Sequence, residues 1–162
     1  SIKLNIIGTS NIVVACSKLN IKLIHFSSSY VYPGTKGNYK ETEPLMPINN
    51  YSWSKLGAES AVQMYKNSLI LRVSMTEKPF VHDGAFNDFI TNFIFHEDLI
   101  KYLFKILDQK GILNFGGKPQ SVYNFVKKYN NQIKKLSATK ILGKKFPKNI
   151  SMNINKLQKI VK

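Results

Sequence analysis

The chain has 162 residues and a formal net charge of +15, with 43% apolar and 20% charged residues, nine Gly and six Pro. That composition supports one domain with a hydrophobic core and excludes collagen, low-complexity disorder and a coiled coil; no apolar run nears the roughly 20 residues of a membrane span. The charge is unevenly placed: residues 1–100 carry nine basic against eight acidic residues, whereas residues 101–162 carry fifteen Lys against Asp108 alone. Arg72 is the only Arg, and Arg is the side chain suited to bidentate reading of bases and phosphates, so a nucleic-acid partner is disfavoured. Lys127-Lys128, Lys134-Lys135 and Lys144-Lys145 read as solvated faces. A single cysteine, Cys16, rules out an internal disulfide and points to a reducing, cytoplasmic compartment.

Taken in chain order, residues 3–19 place Leu4, Ile7, Ile12, Ala15, Cys16 and Leu19 at helical spacing, with Asn20 as a left-handed cap. Ile21 to Phe26 reads as a strand, apolar on both faces and so expected inside a parallel sheet. Ser27 to Asn50 holds Pro33-Gly34, Gly37, Pro44 and Pro47 and reads as a long, functional loop. Asn50 to Lys66 returns to helical spacing, with Leu56, Ala58, Ala61, Val62 and Tyr65 inward. Leu69 to Ser74 is a second buried strand. Asn92 to Phe95 is a short extended piece before a helix from His96 to Asp108, whose start carries Glu97 and Asp98. Gly111 to Phe115 is a third strand, Ser121 caps a helix running to Leu136, and residues 153–161 form a last helix. Strand and helix alternate, which is the order of α/β proteins with parallel sheets.

Three polar elements fall where ligands bind in such sheets, beyond the carboxyl ends of the strands. Ser27-Ser28-Ser29-Tyr30 follows the first strand, Tyr51 and Lys55 open a helix, and Arg72-Val73-Ser74-Met75 ends the second strand. Tyr51 and Lys55 at i, i+4 share one helical face. An ammonium beside a phenol favours the phenolate, which suits acid–base work on a carbonyl or alcohol. A serine hydroxyl converging from the strand end could stabilise charge on the same oxygen.

Taken together, the ordered set of a strand, Ser27-Ser28-Ser29-Tyr30-Val31-Tyr32, a Pro/Gly loop with Glu41-Thr42-Glu43, and Tyr51-Ser52-Trp53-Ser54-Lys55 resembles the extended short-chain dehydrogenase/reductase superfamily. Within it, the chain is most similar to the dTDP-4-dehydrorhamnose reductase-like branch. Asn5 to Ile12, Leu71-Arg72-Val73-Ser74, Asn92 to Leu99, Gly111 to Gly117 and Pro147 to Leu157 extend the resemblance along nearly the whole chain. It implies a Rossmann-like parallel sheet flanked by helices, N-terminally truncated, with a small C-terminal substrate-binding part. Residues 1–76 would be the Rossmann-like portion and 77–162 the remaining sheet, helices and substrate side of one partial domain.

The resemblance further implies NADP or NAD as cofactor and a nucleotide-activated sugar as substrate, with reduction of a 4-keto-6-deoxy sugar as the reaction. A related epimerisation, or a binding module without turnover, are the alternatives. Tyr51 would be the catalytic acid/base, Lys55 would assist it and bind the nicotinamide ribose, and Ser28 would polarise the keto group. Ser27, Val73 and Ser74 would line the nicotinamide; Ser29, Tyr30 and Met75 would lie against the sugar. The departures are Ser52 for the usual glycine after the tyrosine, Ser29 for an aspartate, Met75 for a tryptophan, a short Lys78–Phe93 segment, and no glycine-rich strand–turn–helix for the pyrophosphate. Without that turn the chain is expected to bind dinucleotide weakly by itself, and an open sheet edge would favour pairing with a second copy as a homodimer.

The remaining polar residues carry less. His25 reads as a satisfied core histidine, and Cys16 as a small hydrophobe. His82-Asp83 and His96-Glu97-Asp98 lack metal-ligand spacing and read as surface or cap residues, so no metal is expected. Phe86, Phe89, Phe93 and Phe95 read as core.

Overall fold

The computed structural model describes every residue from Ser1 to Lys162. A π-helical segment, Ile2–Gly8, runs directly into helix α1, Thr9–Leu19. Asn20 ends it in the left-handed region (φ 52°, ψ 35°) and donates its N–H to the Cys16 carbonyl, as its place in the sequence suggested. Strand β1 (Leu23–Ser28) leads through a short 3-10 turn (Ser29–Val31) into the long loop, then helix α2 (Asn50–Gln63) and strand β2 (Ser68–Val73). Four short strands follow: β3 (Met75–Thr76), β4 (Gly84–Phe86), β5 (Ile90–Thr91) and β6 (Ile94–Phe95). Helix α3 (His96–Ile106), strand β7 (Gly111–Phe115), strand β8 (Gln120–Ser121) and helix α4 (Val122–Lys127) come next. Strand β9 (Lys134–Leu136) and helices α5 (Ala138–Leu142) and α6 (Asn155–Val161) complete the chain. No helix is long and apolar enough to cross a membrane.

The main sheet is parallel, in the order β1-β2-β7. All six residues of β2 are buried, as expected of a central parallel strand. Its alternation divides the molecule. Leu69, Leu71 and Val73 join Leu99, Ile106, Leu113, Phe115 and Leu157 in the core under α3 and α6. Ser68 and Arg72 point the other way, bonding to the end of α2 and to Glu59 on α2. A second core gathers Phe89, Phe95, Val122, Phe125, Val126, Ile133 and Ile150 beneath the later short strands and helices.

Three local expectations change. Strand β1 starts and ends two residues later than its apolar run, so Ser27 and Ser28 close the strand rather than follow it. It is also an edge strand, paired on one side only, and residues 23–26 are half-buried rather than enclosed. The helix expected from Ser121 to Leu136 stops at Lys127: Ile133 drops into the second core, and Lys134–Leu136 pairs with Gly84–Phe86. Tertiary pairing overrides local propensity there.

The N-terminal helix gives the third change. Its contact with α2 is made close by Gly57, where a Cβ would come within 3.0 Å of Ile6, and by an Asn5 Nδ2 hydrogen bond of 2.9 Å to Ser54 Oγ. The stripe read as its inner face is largely open: Leu4 is 79%, Ile12 52% and Leu19 69% exposed, and only Cys16 of the stripe is half-buried. Replacing Leu4, Ile12 and Leu19 together by Gln should therefore change unfolding free energy by no more than about 1 kcal/mol. Leu71→Ala in the central strand should cost about 2–5 kcal/mol. Urea unfolding of both variants checks the contrast, and a triple variant as damaging as Leu71→Ala would contradict it.

Candidate functional site

Parallel pairing sets Ser27 beside Arg72 and Ser28 beside Val73, so β1 and β2 finish level. The start of α2 is brought to the same edge by its cap. Asn49 Oδ1 accepts from the Ser52 backbone N–H at 2.8 Å, and Ser52 Oγ accepts from the Asn49 N–H at 3.2 Å, a reciprocal capping box. Ser52, which departs from the superfamily's usual glycine, thus has a structural task. Ser54 Oγ donates to the Tyr51 carbonyl at 2.7 Å and ties the first turn to the N-terminal helix through Asn5.

One cavity of about 310 Å³ opens at this edge, and Ser27, Ser28, Ser29, Tyr30, Tyr51, Lys55, Val73, Ser74 and Met75 all line it. The three candidates for the chemistry therefore share a cleft, from three separate segments. Tyr51 is 51% exposed, Lys55 is half-buried, and Ser28 is buried. Ser28 Oγ accepts a 3.2 Å hydrogen bond from the Tyr30 N–H, which leaves its hydroxyl proton free to donate. Ser74 Oγ is bonded to Thr91 Oγ1 at 2.6 Å, so it shapes the wall more than it offers a free group.

Ser27 Oγ is buried without a hydrogen-bond partner. A buried hydroxyl of this kind carries an uncompensated desolvation cost until a ligand meets it. Ser27 lines the same cavity as Val73 and Lys55, and a free buried hydroxyl there suits the polar, flat end of a dinucleotide, so the cavity fits the nicotinamide moiety. For the pyrophosphate, residues 1–162 hold no glycine-rich strand–turn–helix.

Burial, and behind it the nearby Tyr51, push the Tyr30 phenol up to about 12, so Tyr30 is a hydrogen-bonding group and not a proton shuttle. Burial lowers the Lys55 ammonium, and the Glu59 carboxylate opposes that fall. Phe26, Phe93 and His96 also line the cavity and were not among the residues singled out from the sequence for it. Phe26 shares the strand face of Ser28, a signal that alternation could have supplied. His96 had none: it arrives because β6 pairs with β3, setting Met75 beside Ile94. It is an exposed residue at the start of α3 that also lines the cleft.

A larger cavity of about 620 Å³ adjoins the first and shares Tyr30, Met75 and Phe93 with it. Its walls are mainly aromatic, from Phe80, Phe86, Phe89 and Phe146, with Glu77, His82 and Asp83 as polar groups. Of the four phenylalanines read as core, Phe89 and Phe95 are buried in the second core and Phe86 and Phe93 pack partly buried against it, while Phe86, Phe89 and Phe93 also line cavities. A further hollow of about 410 Å³ lies at the opposite, amino ends of the strands, near Ser68, Gly111 and Lys156, and contains none of the converging groups.

A protein-family model described as the RmlD substrate binding domain matches residues 1–112. Among curated relatives, the probable low-salt glycan biosynthesis reductase Agl14 of Haloferax volcanii is 39% identical over 66 residues, covering 40% of this chain and 22% of that protein. Methionine adenosyltransferase 2 subunit beta of Xenopus laevis is 35% identical over 71 residues, covering 43% and 21%. A hypothetical dTDP-4-dehydrorhamnose reductase from Sulfolobus tokodaii superposes with a TM-score of 0.81 at 25% identity, over 98% of this chain and 65% of that one. The Bacillus anthracis dTDP-4-dehydrorhamnose reductase, solved in complex with NADP, gives a TM-score of 0.81 at 23% identity, over 95% and 64%. The chain thus spans about a fifth of these curated relatives in aligned sequence and under two thirds of the solved structures. The fold is a Rossmann-like parallel α/β sheet flanked by helices.

His25, on the strand face of β1 turned towards α2, corrects the expectation of a satisfied core histidine: its Nε2 is buried with no partner. Burial, then the Lys55 ammonium, push it down to about 4, against the opposing charge of Glu59. The folded chain therefore refuses a proton that the unfolded chain accepts near 6.5. Stability from this group is complete above about pH 6.5 and is lost as the pH falls towards 4. After discounting for partial exposure, the loss should be about 2 kcal/mol. Urea unfolding at pH 7 and pH 4.5 should show a smaller acid loss in His25→Gln than in wild type; equal losses would contradict this origin.

Proposed function

Since the chain belongs to the family of the RmlD substrate binding domain, we propose that it works in the NAD(P)-dependent reduction of a nucleotide-activated 4-keto-6-deoxy sugar. The observation that carries this reading is the single cavity shared by Ser28, Tyr51 and Lys55 at the strand ends. When bound, NAD(P)H supplies a hydride to the keto carbon. Tyr51 gives its phenolic proton to the keto oxygen, so that the ketone becomes an alcohol. Tyr51 is half exposed and can recover that proton from water. Lys55 lies one helical turn along and favours the transient phenolate through its positive charge. Ser28 donates its free hydroxyl proton as a hydrogen bond to the keto oxygen and stabilises charge developing there. Ser27, Val73 and Ser74 hold the nicotinamide side of the cavity, while Ser29, Tyr30 and Met75 face the sugar. The aromatic cavity next door receives the remainder of the nucleotide sugar.

In a chain supplied with NADPH and a dTDP-4-keto-6-deoxyhexose, Tyr51→Phe should lower turnover by about 10²–10⁴ with the circular-dichroism spectrum unchanged. NADPH oxidation at near wild-type rate in that variant would overturn the assignment. The Xenopus relative, named as a subunit of methionine adenosyltransferase, favours a second reading: a module that binds the nicotinamide end without turnover. NADPH binding by wild-type chain with no oxidation on any nucleotide-activated keto sugar would select it.

A further inference from the structure

We propose that Glu59 and Arg72 are the positioning residues of this site: the pair locks α2 in register on β2, and the Glu59 carboxylate is the counter-charge of Lys55. This rests on the reading of Tyr51 and Lys55 as the acid–base pair.

Tyr51, Lys55 and Glu59 follow one another at intervals of four on α2 and therefore share one face. The face descends into the protein, from half-exposed Tyr51 through half-buried Lys55 to Glu59, which is wholly buried. At its foot Arg72 Nη2 donates to Glu59 Oε2 at 2.8 Å and Arg72 Nε to Glu59 Oε1 at 3.1 Å. This fork admits one axial setting of the helix on the strand, because sliding α2 by a residue would separate the two planar groups. Arg72 immediately precedes Val73 and Ser74, which line the cavity.

The remaining guanidinium nitrogen reaches the third carrier of the site. Arg72 Nη1 donates to Tyr32 Oη at 2.9 Å and to the Glu41 carbonyl at 3.1 Å, both in the loop that leaves Ser28. Tyr32 Oη donates to Asn114 Oδ1 at 2.8 Å on β7, and Glu41 Oε1 accepts from the Asn114 N–H at 3.0 Å. One buried pair thus connects the segments that carry Tyr51 and Lys55, Val73 and Ser74, and Ser28.

The electrostatic half of the inference comes from what surrounds Lys55. The titratable groups around it are Tyr30 from the 3-10 turn, His96 from α3 and Tyr51 from its own helix, which line the same cavity, and His25 from β1 and Glu59 from its own helix, whose charges couple to it. Glu59 is the one carboxylate among them. Lys55 takes part in none of the chain's three ion pairs, and Glu59 is the carboxylate whose charge acts on it.

The test separates charge from bulk. In the full chain, the Lys55 ammonium is titrated by lysine ¹³Cε–¹⁵Nζ NMR, with the signal identified through Lys55→Arg. Glu59→Gln keeps the length of the side chain and loses its charge, so the Lys55 midpoint should move down. Glu59→Asp keeps the charge and shortens the reach, so the midpoint should stay near wild type while the melting temperature falls. A role in folding alone would lower the melting temperature in both and leave Lys55 unmoved in both. An unchanged Lys55 midpoint in folded Glu59→Gln overturns the proposal. If that variant does not fold, the Lys55 midpoint in Glu59→Gln with Arg72→Met is compared with that in Arg72→Met alone, so that only the Glu59 charge differs, and the same two outcomes decide. The readout involves no turnover, so the positioning role and the Tyr51 assignment can fail separately.

Discussion

A guanidinium sealed inside the protein is the constraint on which the arrangement turns. Arg72 is 1% exposed, and moving such a cation out of water is tolerable only if all its donors are answered. Glu59 on α2, and Tyr32 and the Glu41 carbonyl in the long loop, answer its three nitrogens. Removing one member of a buried ion pair costs about 3–5 kcal/mol, mostly because the other is stranded. The cluster therefore permits few alternative packings of α2, the long loop and β2. Glu59 is wholly buried beside Ala58 and Val62, so the pair and apolar burial together seat this helix.

Above that foundation the groups differ by depth, and depth separates their chemistry. Tyr30 and Tyr51 line the same cavity, yet burial holds Tyr30 as a neutral phenol while Tyr51 stands half in water. Ser27 and Ser28 are neighbours on a strand and so point to opposite faces. One is left without a partner, and the other is oriented by the Tyr30 N–H. The adjoining aromatic cavity gives the cleft a continuation without demanding further charge at its centre. The thirteen lysines after Asp108 stand apart from the first cavity, none of whose lining residues comes from that stretch.

Much of this was legible in the residues. Dense apolar content made β2 readable as a buried strand, and Tyr51 and Lys55 declared a common face by spacing alone. Ser28, Tyr51 and Val73 could be placed at one sheet edge because parallel strands put their carboxyl ends together. Other features were hidden because they depend on distant partners. Ile133 and Lys134–Leu136 follow β4 rather than their own helical tendency. His96 reaches the cleft through pairing with a strand some twenty residues earlier in the chain. Glu59 looked like an ordinary helical carboxylate, since nothing in its neighbourhood announces Arg72. The stripe of Leu4, Ile12 and Leu19 shows the converse: periodicity marks a face as apolar but does not say whether anything covers it.

Direct observation of a nicotinamide in the first cavity would bear on the account most immediately. Nicotinamide mononucleotide carries the reactive ring and ribose but needs no glycine turn, so it addresses the residues this chain possesses. A crystal structure of the chain soaked with it should place the ring against Val73 and Ser74, with a polar atom meeting Ser27 and the ribose within hydrogen-bond reach of Lys55 or Tyr51. Electron density for the ring at another surface, or an ordered structure in which Ser28, Tyr51 and Lys55 border no common cleft, would contradict it.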